Sequence, residues 1–323
     1  MQSVIRFALL LGIVIGVTAP LAPAWGQSWP TRPVRVVIPY APGGGAELQA
    51  RLVTGKLTEI WGQPVIIDNK PGGGTTIAGA FVAKAAPDGY TISSAYSSLF
   101  TAGLLMKDLP FDLVKSFTAV SWLTEVPSIL AVPASSPAKT VKELLEYARK
   151  APKQLSYGST GLGGSQHLNA EMILQAGQAK AVHIPYKGTA EAGTALLSEQ
   201  IDFAYVDQSI RQLIKTGKVR ALAVTSAKRW AALPDVPTMQ ESIGVSGVST
   251  RNMYLVPSAT PTALVNQINA GIVKALRSPD LEEKFIAAGY NIVASTPEEA
   301  ARFYQAEYQV YAKLVKDLDL KAE

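Results

Sequence analysis

The 323 residues contain no cysteine. That one absence excludes a disulfide framework, a thiolate zinc site, a cysteine nucleophile and a cysteine-linked lipid anchor. Histidine is nearly as scarce, with only His167 and His183. His167 follows Ser165 by two residues at a helix start, so the two would not face each other as a base and its nucleophile. Two lone histidines also make a poor metal site. There is no GxSxG elbow, and the PGGG turns lack the GK[ST] of a phosphate loop, while GLGGSQ does not match GxGxxG. Nucleotide and acyl-transfer chemistry are therefore left without a motif, and nothing calls for a cofactor. Charge is modest as well, 30 basic against 25 acidic residues for a net +5, with no basic block. Such a mild, scattered excess suits an anionic ligand and does not describe a nucleic-acid surface.

Long apolar runs are also missing, with one exception at the start. Arg6 precedes an apolar stretch at 7–17 (FALLLGIVIGV), Pro20 and Pro23 interrupt any helix, and Ala22-Pro23-Ala24 supplies a small-x-small cleavage pattern. That order describes a secretory signal over residues 1–26, removed on export. The alternative, a transmembrane anchor, would need about 20 apolar residues, and this run is shorter. A periplasmic protein, free of any anchor, is the expectation. With 48% apolar residues the remainder has ample material for a core, and its length suits two medium domains.

Beyond the signal, β-rich runs alternate with helical stretches. Residues 34–40 (VRVVIPY) read as a buried strand, and 47–61 as a helix stopped by Gly62, with Leu48, Leu52, Leu57, Ile60 and Trp61 at helical spacing. Strands follow at 64–68 and 90–95, with a helix at about 75–85 between them. In the middle, Thr140 and Glu143 form a capping-box pattern ahead of a helix, and strands read at 155–158, 181–186, 201–206 and 219–225. Thr260-Pro261, Ser278-Pro279 and Thr296-Pro297 each place an N-cap before a first-turn proline. A surface helix is expected from 297 to about 314. The alternation predicts an α/β protein with mainly parallel sheets. Residues 121–133 and 249–257 read as crossovers between two lobes: 27–126 and 251–323 in the first, 127–250 in the second.

Three loops carry candidate chemistry, each joining a strand to a helix. In the first, Tyr40, Ala41, Pro42, Gly43, Gly44 and Gly45 let backbone approach a ligand at a helix N-terminus, where an anion is favoured. The second, 159–166 (STGLGGSQ), adds the hydroxyls of Ser159, Thr160 and Ser165. The third, 185–189 (PYKGT), brings Lys187 as a counter-charge. In open α/β sheets ligands bind beyond the carboxyl ends of the strands, where these loops lie. Plain turn chemistry is the alternative for each loop taken singly.

Together, WPTRPVRVVIPYAPGGG, GQPVIIDNKPGGGTTIAG, AKAAPDGYT, STGLGGSQHLNAE, VHIPYKGTAEA, GKVRALAVTS and LPDVPTMQE resemble the Bug, or TctC, family, substrate-binding components of tripartite tricarboxylate transporters. The likeness runs almost end to end through the mature chain. It implies a two-lobed periplasmic binding protein of the Venus-flytrap type, closing on a small carboxylate and docking onto membrane permease subunits. It further implies that the APGGG loop and the second loop, with Gly163 and Gly164, form opposing carboxylate cradles, completed by Ser94, Tyr96 and Asp207. This chain departs from the family's GGGTD by carrying Ala46 and Glu47, which puts an acid near the pocket or simply caps the helix. Arg251 is expected either to face the cleft and pair with a second ligand acid or to lie on the hinge surface. An enzyme of the same fold, with Glu47, Asp207 or His167 as base, and a subunit presenting ligand to a sensor kinase remain the alternatives. A monomer is the default.

Overall fold

The computed structural model describes residues 29–318 and 320, so the expected signal at 1–26 lies outside the described residues. The chain runs β1 (Val34–Ile38), α1 (Gly45–Trp61), β2 (Val65–Asn69), α2 (Thr76–Ala83), β3 (Thr91–Tyr96), α3 (Ser98–Leu105) and β4 (Phe117–Val126), then crosses to β5 (Ile129–Pro133). α4 (Val141–Lys150), β6 (Leu155–Ser159), α5 (Ser165–Ala176), β7 (Ala181–Pro185), α6 (Thr189–Leu197), β8 (Phe203–Val206), α7 (Arg211–Lys215) and β9 (Val219–Val224) follow. α8 (Met239–Ile243) lies on the return path to β10 (Thr250–Pro257). α9 (Thr262–Leu276), α10 (Pro279–Ala288), β11 (Asn291–Ile292) and α11 (Pro297–Asp317) come last.

These strands form two sheets. The first has the order β11-β4-β10-β3-β1-β2 and the second β7-β6-β8-β5-β9. β1 pairs in parallel with β2 and β3, and β6 with β7 and β8. The strands at the crossovers break that direction: β10 runs antiparallel to β3 and β4, and β5 to β8 and β9. The result is a two-lobed α/β fold of mostly parallel strands. The chain passes from the first sheet to the second after β4 and returns before β10.

The apolar run of β1 is explained by helices on both faces. Val34 and Val36 join a core beneath α1 and α9, with Val53, Leu57, Ile268 and Ile272. Val37 points the other way, to Val82, Phe100, Tyr304 and Tyr311 under α2, α3 and α11. A strand covered on both sides has no polar face to display. The second sheet has its own core, in which Val141, Leu144, Tyr157, Ile173, Phe203 and Met239 pack together.

Helix ends follow the local chemistry with instructive differences. Gly62 ends α1 in the left-handed region at φ 65°, its N–H donating to Thr58 O. Thr296 and Glu299 form a complete capping box on α11. Thr140 accepts from Glu143 N, but the Glu143 carboxylate reaches back to Lys139 N, one residue earlier than a box requires. Thr260 is not a cap: its hydroxyl donates to Pro257 O, and Pro261 itself precedes the first residue of α9.

Candidate functional site

α1 opens on glycine because nothing larger fits. A Cβ at Gly45 would lie 2.4 Å from Asp207 Oδ2, so the first residue of the helix must be bare. That closeness serves a bond between the lobes. Gly45 N–H donates to Asp207 Oδ2 at 3.1 Å, and the same oxygen accepts from the Thr189 hydroxyl at 2.7 Å. Asp207 Oδ1 takes Ser209 N–H at 2.9 Å, capping a short 3-10 turn at 208–210. A buried carboxylate with three donors is well compensated. Ala41 N–H also reaches Lys187 O across the cleft at 3.3 Å, and the lobes are therefore closed on one another.

The opposite wall is the β6–α5 loop. Ser159 Oγ accepts from Gly161 N–H at 3.1 Å and lies 2.7 Å from His183 Nε2. Gly163 N–H donates to His167 Nδ1 at 2.9 Å. The two imidazoles stack with centroids 4.2 Å apart, within a ladder that includes Tyr157 and Phe203. Burial, reinforced by His183, pushes the pKa of His167 down to about 3, so its ring is a neutral acceptor that shapes the loop. Thr160 donates to Gln166, and Ser165 Oγ meets Thr250 Oγ1 at 2.8 Å, tying α5 to the start of β10.

The floor is a network of amides and hydroxyls on the first lobe. Asn252 donates to Ser94 Oγ at 2.8 Å, and Gln49 donates to Thr124 and to Asn252 Oδ1. Tyr96 leans on Gln49 at 3.4 Å, and Tyr290 donates to Gly45 O at 2.6 Å. Tyr40 is held at 2.9 Å from Ser98 Oγ; burial pushes its hydroxyl up to about 12, so it stays a neutral donor. Between these walls lies a cavity of about 590 Å³ of empty space, mouth included, lined from both sheets. Among the described residues Asp207 is its one acid, and no Lys, Arg or His lines it. Such a site can bind, orient and enclose a small polar solute, with the first residues of α1 and α5 (Gly45, Ala46, Ser165 and Gln166) among its lining.

Of the residues singled out in the sequence, Tyr40, Ala41, Gly44, Gly45, Tyr96, Thr160, Ser165 and Asp207 line this cavity. Pro42, Gly43, Gly163 and Gly164 shape the loops without lining it. Ser94 and Ser159 lie behind the wall as hydrogen-bond partners of Asn252 and His183. Lys187 is exposed, and its backbone rather than its ammonium makes the interlobe contact. Glu47 turns away from the cavity: it accepts from Gly43 N–H at 2.6 Å and pairs with Arg51, which is the capping alternative. Arg251 is off the cleft as well. Its guanidinium pairs with Glu307 at 2.9 Å and Glu125 at 3.3 Å, on the α11 side of the sheet. The reason is strand parity, since Asn252 takes the cleft face and its neighbour must take the other.

Sequence reasoning missed Gln49, Ser97, Thr124, Gln208, Thr250, Asn252 and Tyr290, all lining the cavity. The signal that was available is the polar interruption of apolar strands, as in TRNMYLVP, where Asn252 is the buried amide.

Comparison with known proteins places this geometry among others. A family model described as "Tripartite tricarboxylate transporter family receptor" matches residues 49–320. A Pseudomonas protein, "UPF0065 protein in tcbD-tcbE intergenic region", is 34% identical over 98% of this chain and 96% of its own. Among solved structures, the periplasmic binding protein BugD is 32% identical, with a TM-score of 0.86 over 91% of this chain and 100% of its own. A protein of R. palustris solved with adipate is 31% identical, with a TM-score of 0.86 over 91% and 99%. MatC from Rhodopseudomonas palustris, with bound malate, is 29% identical, with a TM-score of 0.84 over 88% and 99%.

Proposed function

The chain belongs to the tripartite tricarboxylate transporter receptor family, and on that premise we propose that it captures a small carboxylate between its lobes and delivers it to the membrane permease subunits of such a transporter. The observation that carries the reading is the cavity itself, built from the strand ends of both sheets, with two helix N-termini facing it and buried hydroxyls and amides around it. The adipate and malate held by two relatives are small carboxylates. The ligand's carboxylate sits at the α5 end, received by first-turn N–H groups and the hydroxyl of Ser165, which can accept from Thr250 and keep its own proton for the ligand.

The protein acts as a single copy in the periplasm, after loss of residues 1–26, with its lobes divided near 126/127 and 250/251. The order of strands supports a division of that kind, because the chain leaves the first sheet after β4 at Val126 and is back in it with β10, which begins at Thr250. A ligand touching both walls favours closure by its differential affinity for the closed form. Binding rather than catalysis is supported by how the three candidate bases are engaged. Asp207 holds three donors, His167 accepts from Gly163 and stays neutral, and Glu47 faces Gly43 and Arg51.

A thermal-shift screen of mono-, di- and tricarboxylates tests the reading. Ligand at ~100 times its dissociation constant adds about 2.7 kcal/mol of stability. A shift with one acid class, and its recovery unaltered after incubation, is the expected result. Silence across aliphatic and aromatic acids, or conversion of the ligand, would overturn it.

A further inference from the structure

We infer that Gln208 reads the end of the ligand remote from its carboxylate, and that this end carries an uncharged group able both to donate and to accept, as a carboxamide or hydroxyl does; the inference rests on the carboxylate-binding reading above. Gln208 follows Asp207 at the exit of β8 and is only 6% exposed. It lines the interlobe cavity and also borders an outer hollow between the glycine loop and α7. Buried side-chain amides ordinarily have partners, because an unmade hydrogen bond leaves their desolvation uncompensated. Here Oε1 has no donor among the described residues, and Nε2 meets no acceptor of good hydrogen-bond geometry.

The groups around it are already committed. A Cβ at position 45 would stand 3.2 Å from Gln208 Nε2, which places the amide beside the first residue of α1. Gly45 N–H is taken by Asp207, and Gly45 O by the hydroxyl of Tyr290. Tyr290 spends its proton on Gly45 O, so its phenol oxygen can only accept, from Gln208 Nε2, and offers Oε1 nothing. The acceptor Oε1 is thus left without a donor at the cavity wall, beside an Nε2 whose one neighbouring acceptor is the Tyr290 phenol.

That pairing discriminates between ligands. A second carboxylate has acceptors only. It would satisfy Nε2, leave Oε1 buried and unmet, and stand beside Asp207 with no cation among the described lining residues to offset it. A carboxamide answers both atoms at once and adds no charge. The ligand class is therefore a mono-anion: one carboxylate at the α5 end, and an amide or hydroxyl at the Asp207–Gln208 end.

Titration calorimetry on residues 27–323 tests this with matched pairs: succinamate against succinate, glutaramate against glutarate, and adipamate against adipate, all at neutral pH. At the best-fitting chain length the monoamide is expected to bind at least about tenfold tighter than the diacid, the scale of leaving one buried hydrogen-bonding group unmet. Gln208→Leu should erase that preference by weakening the monoamide alone, and Gln208→Asn, a smaller change, should reduce it if the leucine variant fails to fold. Diacids bound as tightly as monoamides, or a Gln208 variant that weakens both alike, would overturn the inference and leave the carboxylate reading standing. Failure of every acid and amide to bind would overturn both.

Discussion

Arg251 and Asn252 are adjacent in β10, yet they serve opposite faces of one sheet. Asn252 enters the polar floor of the cleft, while Arg251 lies against α11 between Glu125 and Glu307. Burial pushes the Glu307 carboxyl up, and the charge of Arg251 opposes that rise. Removing the arginine strands a buried acid, so Arg251→Ala should cost about 3 kcal/mol in urea unfolding while leaving ligand affinity unchanged. A loss of affinity with unchanged stability would return Arg251 to the cleft. Position 45 makes the opposite prediction. Gly45→Ala drives a Cβ against Asp207, and overpacking of about 1–3 kcal/mol should weaken ligand binding roughly five- to 150-fold. Glycine loops and hydroxyls were legible because their chemistry is local. Gln49, Gln208, Asn252 and Tyr290 were not, since each reaches the cavity only through the pairing of distant strands and helices. For a residue in a strand, an error of one position changes its face.

At the scale of elements, the sequence was most readable where caps are strongest. The box at Thr296 and Glu299 starts α11 as expected; Thr296→Ala should lower stability by about 1 kcal/mol, seen as a small drop in midpoint without a change in slope. Thr260 shows the limit of such reading, because the same Thr-Pro pair there makes a turn with Pro257 instead. The β6–α5 loop depends on something no motif announced, the stacking of His183 from β7 over His167 from α5. With its pKa down to about 3 in the fold, against the 6.5 of an unperturbed imidazole, His167 takes up a proton more readily once unfolded. Its contribution is therefore complete above about pH 6.5 and is lost by roughly 1.4 kcal/mol per unit as pH falls toward 3. A His167→Gln variant should flatten that part of the stability–pH curve, and an unaltered slope would place the acid sensitivity elsewhere.

In the whole molecule, alternation along the chain made the α/β class and the two lobes readable, whereas closure was not, because it depends on atoms from opposite lobes meeting. Asp207 bridges Thr189 of its own lobe to Gly45 of the other. Hydrogen bonds to a charged group are worth about 1.5–3 kcal/mol, so Asp207→Ala should widen the ligand-free protein in small-angle scattering and leave the ligand-saturated radius closer to that of the unmutated chain. Equal radii before and after the substitution would remove Asp207 from the closure. The place of β10 has a further consequence, in the order of assembly. It lies between β3 and β4, bonded to both, yet it follows all five strands of the other sheet in the chain. A polypeptide arriving amino end first can finish the second lobe while the first still has a gap at its centre. The unit that is begun first is completed last, and its half-made sheet stays open until residues 250–257 arrive to fill it.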